Sequence, residues 1–461
     1  MRGPIRTAAA VLLAAMVATA CGNSKSQDAA SSTTATTSSS NTPTTIGDTT
    51  KFVAGRGPGV DDSKKEIRVA VITSKTNPIG GKYAQYGDGV QAYFDFVNAH
   101  GGIYGRKLVI VNKRDDVVGL QNTQQVQASL ADDNAFATFL ATLQFTGADL
   151  LAKAGQPTFT WNINPEFAST PQQSHESIFG SLGALCLNCG GHFIPWLAKK
   201  NGFTKVGIIA YGVSSSSKIC AAGTRAGYEK YTPDIKVAVF DDTVPFAGDL
   251  SADVAKMKSA GVQFVNTCLD TNEVTKLQRE MKKQGLNAVQ YLPNGYDHEA
   301  LKESPGLFDN SFAISLYSPW EVSPQSPATK DYVDNVKSVT SAPVELTETG
   351  WIMGKMFVDG LKLAGPEFTK QKVVDALNRQ TAYSADGLIV PIDWTKQHND
   401  PQKPGAPRSN LECSTVMKIN GSSFVPQYTE PGKPWICFDA DPNAPIPTEP
   451  EHRSFAPGGQ G

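Results

Sequence analysis

Residues 67–116 spell a strand, a helix and a second strand, and this unit restricts the fold more than any other feature. Ile67-Arg68-Val69-Ala70-Val71-Ile72 is a run of β-branched and small residues and predicts a buried strand. A polar, glycine-rich loop covers residues 73–81. Val90, Tyr93, Phe94 and Val97 then recur at helical spacing. Gly101-Gly102 stops that helix, because glycine accepts the left-handed backbone common at helix C-termini. Leu108-Val109-Ile110-Val111 is the second strand. Two strands joined through a helix run parallel, with a right-handed crossover. Ligands of such sheets lie beyond the carboxyl ends of the strands. Here that means the 73–86 loop and the Asp115-Asp116 pair.

The pattern repeats. Residues 135–141 form a strand followed by the loop Thr142-Leu143-Gln144-Phe145-Thr146-Gly147, and Thr158-Phe159-Thr160-Trp161 forms a strand ending at Asn162. Phe179-Gly180-Ser181 marks a crossing to a second set of strands at 206–210, 237–240, 262–267 and 288–292. Tyr211-Gly212 and Asn294-Gly295-Tyr296-Asp297 stand at two of their ends. A strand at 311–316 returns toward the first set, and Tyr317-Ser318-Pro319-Trp320-Glu321 is the second crossing. Helices at 347–364 and around Val373 and Leu377, a strand at 388–392 and a hairpin about Gly421 follow. The fold class expected is α/β, with two doubly wound parallel-sheet lobes joined by a multi-crossing hinge. Residues 64–181 with 316–395 make one lobe, and residues 182–315 with 396–440 make the other. Residues 441–461 are proline-rich and read as a disordered tail.

The beginning of the chain reads as a targeting segment. Arg2 and Arg6 precede an apolar run over residues 8–20, too short to span a bilayer and suited to a signal-peptide core. Small residues precede Cys21, as in a bacterial lipoprotein signal, although Ala18 stands where leucine is usual. Residues 1–20 are therefore read as a signal peptide and Cys21 as a lipidation site. Residues 22–63 are rich in Ser and Thr and poor in large apolar side chains. They read as a flexible tether with a reach of roughly 35 Å.

Six further cysteines, Cys186, Cys189, Cys220, Cys268, Cys413 and Cys437, form an even set that suits disulfides in an exported chain. Cys413 and Cys437 flank the hairpin and are the favoured pair. Cys220 and Cys268 stand near neighbouring element ends and could also meet. Cys186-Leu187-Asn188-Cys189 with His192 lacks a second Cys or His pair, so no metal is expected.

The segment Asn98-Ala99-His100-Gly101-Gly102-Ile103-Tyr104-Gly105-Arg106-Lys107-Leu108 resembles the "N-x-x-GGI-x-GRKL" signature of type I periplasmic solute-binding proteins, the branched-chain amino-acid-binding group of ABC transporters. The glycines of that signature cap and turn the chain; they mark the fold and not the site. The resemblance implies the type I periplasmic binding fold, a small-molecule ligand held between the lobes, and a membrane permease as partner. It implies that the loops after the third and fourth strands touch the ligand. It also marks Tyr211-Gly212 and the 294–297 loop as cleft-facing. Where the family carries a glycine-and-serine loop for a ligand carboxylate, this chain has Leu143-Gln144-Phe145-Thr146, and Thr146 alone keeps a hydroxyl.

No phosphate-binding loop, HExxH or GxSxG motif is present, so no enzymatic activity and no cofactor are expected. A net charge of −2 carries no nucleic-acid signature. The candidate ligand contacts are Gln144, Phe145, Thr146, Trp161, Asn162, Tyr211, Tyr296 and Trp320, with Asp297 and Glu321 able to meet an ammonium group. Aromatic rings with a few amides and hydroxyls suit a small, partly apolar ligand. The expectation is a lipid-anchored extracytoplasmic binding protein of an ABC importer. The alternative is a sensory or scaffold lipoprotein on the same fold.

Overall fold

The computed structural model describes residues 51–54, 56–183, 190–398 and 411–457. The signal segment, Cys21, Cys186, Cys189 and the 399–410 loop lie outside the described residues.

In the first lobe the elements are β1 (Val60–Asp61), β2 (Glu66–Thr73), α1 (Ala84–Ala99), β3 (Lys107–Asp115), α2 (Asn122–Asp132), β4 (Ala137–Ala141), α3 (Ala148–Lys153), β5 (Thr158–Thr160) and β6 (Ile178–Gly180). β2 pairs in parallel with β3 on one side and β4 on the other, and β5 and β6 continue from β4. Ile67, Val69, Val71 and Ile72 are fully buried in β2, as a strand covered on both faces requires. Gly101 and Gly102 take φ of 97° and 73° after α1. The motif around them is structural. The Asn98 amide brackets Leu108, donating to its carbonyl at 3.0 Å and accepting from its N–H at 2.9 Å. The guanidinium of Arg106 is buried and donates to the carbonyls of Val53 and Asp61 and to Asp62.

Those Arg106 contacts correct the boundary of the tether. Residues 51–54 and 56–63 are packed on the first lobe, β1 pairs antiparallel with β2, and Val53 and Val60 meet the core. Two small apolar residues in a polar stretch suffice when a buried arginine supplies the partners.

The second lobe contains α4 (Phe193–Lys200), β7 (Lys205–Tyr211), α5 (Ser215–Tyr231), β8 (Lys236–Val244), α6 (Ser251–Ala260), β9 (Phe264–Cys268), α7 (Thr271–Gln284), β10 (Val289–Leu292), α8 (His298–Glu303) and β11 (Phe312–Ser315). Its sheet runs β8-β7-β9-β10-β11 in parallel. β11 thus belongs to the second sheet and the return to the first lobe begins only after it. Three helices come next, α9 (Pro327–Val336), α10 (Glu345–Ala364) and α11 (Lys370–Asn378). α10 lies on the first sheet, where Phe357 meets Phe139 and Phe159 at ring separations of 5.7 and 5.4 Å. It crosses α1 at two facing glycines. A Cβ on Gly89 would fall 1.8 Å from the Thr347 carbonyl oxygen, and one on Gly350 would fall 2.0 Å from that of Tyr86. The chain then returns to the second sheet with β12 (Leu411–Asn420), β13 (Ser423–Gln427), β14 (Trp435–Asp439) and β15 (Glu451–Arg453), all antiparallel.

Two expectations fail here. Residues 388–392 are not a strand: a short helical turn at 385–387 leads into them, and Tyr383 and Ile392 form an isolated bridge. Leu388 and Ile389 are apolar because they are buried, not because they pair. The tail through residue 457 is not disordered. β15 pairs with β14, the ring of His192 bonds the Ala444 carbonyl at 3.0 Å, and Trp196 donates to that of Thr448 at 3.3 Å. Beyond β15 the tail reaches the first lobe, where Ser384 donates to the Phe455 carbonyl at 3.5 Å and Gly387 abuts Ala456. Proline removes donors from this segment, but its carbonyls accept from side chains already in place.

Among the described residues two disulfides are formed. Cys413 and Cys437 face each other across β12 and β14, and Cys220 in α5 bonds Cys268 at the end of β9.

Candidate functional site

Both sheets present the carboxyl ends of their parallel strands to one cleft, part of it open to solvent. From the first lobe come Gly81, Lys82 and Tyr83, in the loop after β2, and Trp161 at the end of β5. From the second come Asp270 and Thr271 after β9, and Asn294 and Asp297 after β10. Val344, Glu345 and Leu346, at the start of α10, form the rest of the wall. The lobes touch beside it. Asn272 N–H donates to the Ile79 carbonyl at 3.2 Å, Gln85 donates to Glu299 at 3.0 Å, and Lys82 pairs with Glu299 at 3.2 Å.

Aromatic rings close one side. Tyr83 and Trp161 meet edge to face at 5.7 Å, both buried, and the Trp161 indole N–H has no hydrogen-bond partner. Carboxyl groups close the other. Asp270 receives a long contact of 3.5 Å from the Tyr83 hydroxyl; burial, together with Glu273, lifts its pKa to about 7. Asp297 is buried, caps α8 by accepting from the Ala300 N–H at 2.9 Å, and is pushed up by burial. Glu345 stands at the first position of α10, is 6% exposed, and neither carboxylate oxygen has a hydrogen-bond partner. Burial, then the nearby Asp297, raises it to about 8. One turn on, Glu348 is equally unpartnered, and burial followed by Glu345 and Glu321 raises it well above the usual range. Unpaired buried carboxylates of this kind take up protons rather than stay charged.

Of the eight candidate contacts read from sequence, Trp161 lines this cleft. Tyr211 and Tyr296 stand behind the wall and orient carboxylates: Tyr211 donates to Glu273 at 2.8 Å, and Tyr296 donates to Glu321 at 2.5 Å. Trp320 packs on Tyr296 and His298, with ring separations of 5.5 and 4.3 Å. Asn162 spends its amide on the Gly183 carbonyl and the Leu182 N–H, fixing the exit from the first lobe. Phe145 is buried core, Gln144 abuts Gly119, and Thr146 is an exposed hydroxyl bonded to Thr123 at 2.8 Å. The Asp115-Asp116 pair is likewise spent on loops. Asp116 accepts from Ser74 at 2.7 Å, Gly119 at 3.0 Å and Asn122 at 2.9 Å, and Asp115 accepts from the N–H of Thr76 at 3.1 Å. Tyr83, Asp270 and Glu345 were not singled out from sequence. Asp270 follows a strand directly, so its place was legible; Glu345 reads as an ordinary acidic residue at a helix start.

A protein-family model described as periplasmic binding protein matches residues 66–420. The Leucine-, isoleucine-, valine-, threonine-, and alanine-binding protein of Pseudomonas aeruginosa is 24% identical over 333 residues, covering 68% of this chain and 83% of its own. The leucine-specific-binding protein of Salmonella typhimurium is 22% identical over 377 residues, covering 77% and 92%. Among solved structures, a fatty acid ABC transporter substrate-binding protein from Thermomonospora curvata superposes with a TM-score of 0.64 at 18% identity, over 87% of this chain and all of that one. A branched-chain amino acid transporter substrate-binding protein from Streptococcus pneumoniae, bound to isoleucine, gives 0.63 at 16% identity, over 79% of this chain and all of that one. With two parallel-sheet lobes facing one cleft and the family pattern running from β2 to the end of β12, the chain belongs to the periplasmic binding protein family, in the type I group that includes the branched-chain amino-acid-binding proteins.

Proposed function

We propose that this chain is the extracytoplasmic solute-binding subunit of an ABC importer, held to the membrane by a lipid on Cys21. It captures a small organic solute, of the amino-acid or amide kind or related to it, between the two lobes and passes it to a membrane permease. The observation that carries the reading is the cleft itself: strand ends of both sheets and the start of α10 meet around it. The relatives named above, among them a leucine-specific-binding protein, agree with this role. The lobes open and close about the crossings, where Tyr317 joins Ser181 at 2.9 Å to Thr349 at 2.7 Å. Within the cleft Trp161 and Tyr83 cover the apolar part of the solute, and the carboxyl groups hold its polar part.

A thermal-shift screen of the full chain against amino acids, amides, amines, aromatic acids and sugars tests this. A bound solute at 100 times its Kd adds about 2.7 kcal/mol and raises the Tm. A rise with at least one solute, reduced by Trp161→Ala, is the expected result. Flat melting curves across the whole set would overturn the reading.

A further inference from the structure

The carboxyl side of the cleft narrows the chemistry of the solute, on the premise that the cleft binds one. Three of the wall residues are acids, Asp270 and Asp297 from the second lobe and Glu345 from α10. The one basic side chain in the wall is Lys82, and Glu299 holds it at 3.2 Å. Glu345 is the informative group. It is almost wholly buried, it is one of the residues that line the cleft, and both of its oxygens lack a partner. Asp297 and Asp270 have at least one donor each; Glu345 has none. A buried carboxylate with no partner is costly to keep, and a cation in the cleft removes that cost.

A second observation bears on the opposite chemistry. A solute carboxylate needs free N–H groups or a cation. The loop after β4 spends three of its N–H groups internally: that of Leu143 goes to the Ser74 hydroxyl at 3.1 Å, that of Gln144 to the Thr142 hydroxyl at 3.3 Å and that of Gly147 to Asn122 at 2.8 Å. Lys82 is occupied as well. The Trp161 and Tyr83 rings, by contrast, suit a cation, because an aromatic face attracts positive charge.

We infer that the cleft selects a cationic amine without a carboxylate, such as a short aliphatic diamine, with Glu345 meeting one ammonium group and Asp270 and Asp297 facing it from the other lobe. Glu345 holds a proton near neutral pH in the empty cleft and gives it up when the ammonium group arrives. Asp270, Asp297 and Glu348 shift in the same direction, and Lys82 stays with Glu299.

Calorimetric titration of the full chain with 1,4-diaminobutane, in two buffers of different ionisation enthalpy at pH 7, tests the inference, with leucine and benzoate as carboxylate controls. The expected result is diamine binding with net proton release, affinity that rises at least tenfold from pH 6 to pH 9, and a loss of at least 30-fold in Glu345→Gln. The pH dependence is read on the unaltered chain, so it stands even if the variant fails to fold. Tight binding of leucine or benzoate, with no proton release and no effect of Glu345→Gln, would overturn the inference while leaving a solute-binding protein. Absence of binding by all three would overturn it too, and the broad screen above then decides whether the cleft binds any solute.

Discussion

Replacing Glu345 by glutamine should make the protein more stable at neutral and alkaline pH. The folded state holds this carboxyl at about 8 against an ordinary value of 4.5, mainly through burial and then through Asp297. That gap corresponds to about 5 kcal/mol. An acid raised on folding supports the fold fully below its unfolded pKa, and this support is lost as pH climbs through the folded value. The loss therefore accumulates between about pH 4.5 and pH 8 and is complete above. Glutamine carries no proton to lose, so the variant escapes it. Asp270, Asp297 and Glu348 titrate in both proteins and Lys82 stays paired with Glu299, so the difference between the two curves reports Glu345 together with its effect on Glu348, which loses a neighbouring charge in the variant and adds to the gain. Guanidinium unfolding at half-unit pH steps from 4 to 9, without solute, should show the variant gaining about 5 kcal/mol on the wild type across the range. A difference that stays flat within about 1 kcal/mol would refute the claim that this carboxyl is buried without a partner.

Gly350→Ala should cost about 3 kcal/mol in the same unfolding assay, because its Cβ meets the Tyr86 backbone and neither helix can yield locally; a loss under about 1 kcal/mol would mean that α1 and α10 sit further apart. Removing the Cys220–Cys268 bridge by Cys220→Ala with Cys268→Ala should cost about 4 kcal/mol, as its loop spans 48 residues, and removing Cys413–Cys437, with 24, about 3 kcal/mol; equal stability of oxidised and reduced protein would contradict both. Trp161→Ala should weaken the solute at least tenfold, about 1.4 kcal/mol by titration calorimetry, and unchanged affinity would place the solute elsewhere. Cys21→Ser should move the protein from the detergent phase to the aqueous phase in a phase-partition experiment, and retention in detergent would exclude a lipid on that cysteine.

Much of the architecture was written in local pattern. The runs that became β2, β4, β7 and β9 are apolar because parallel strands are covered on both faces, and glycines ended α1, α6 and α7. The first crossing was legible from the change of strand set, and both observed disulfides were among the pairings considered. Other elements hid behind composition. α9 carries a clear start signal, Ser326 as cap and Pro327 in its first turn, yet sits in a stretch otherwise read as a connection. β15 and the 441–457 segment have few apolar residues, and their order comes from His192, Trp196 and Tyr231, more than 200 positions away. The site was legible by location and not by residue. Strand ends pointed to the right loops, but a loop residue can turn to the cleft, to the core or to the backbone of a neighbouring segment. Trp161 took the first course, Phe145 the second and Asn162 the third. Glu345 gave no signal at all, since an acid at a helix start usually serves the helix dipole in water; its burial arises only when Tyr296 and Asp297 close over it from the other lobe.

The residues after β15, through 457, do more than finish the second sheet. They run past the second crossing and rest on the turn at 384–387, so the segment 451–457 is stitched to both lobes near where they join. Under the proposed opening and closing about those crossings, such a place lies close to the pivot and travels least. A dye or fusion partner attached there would ride almost motionless through the whole cycle. The same reporter on the far rim of the second lobe, at the exposed Lys283 of α7, would sweep the full arc and register each capture as it happens.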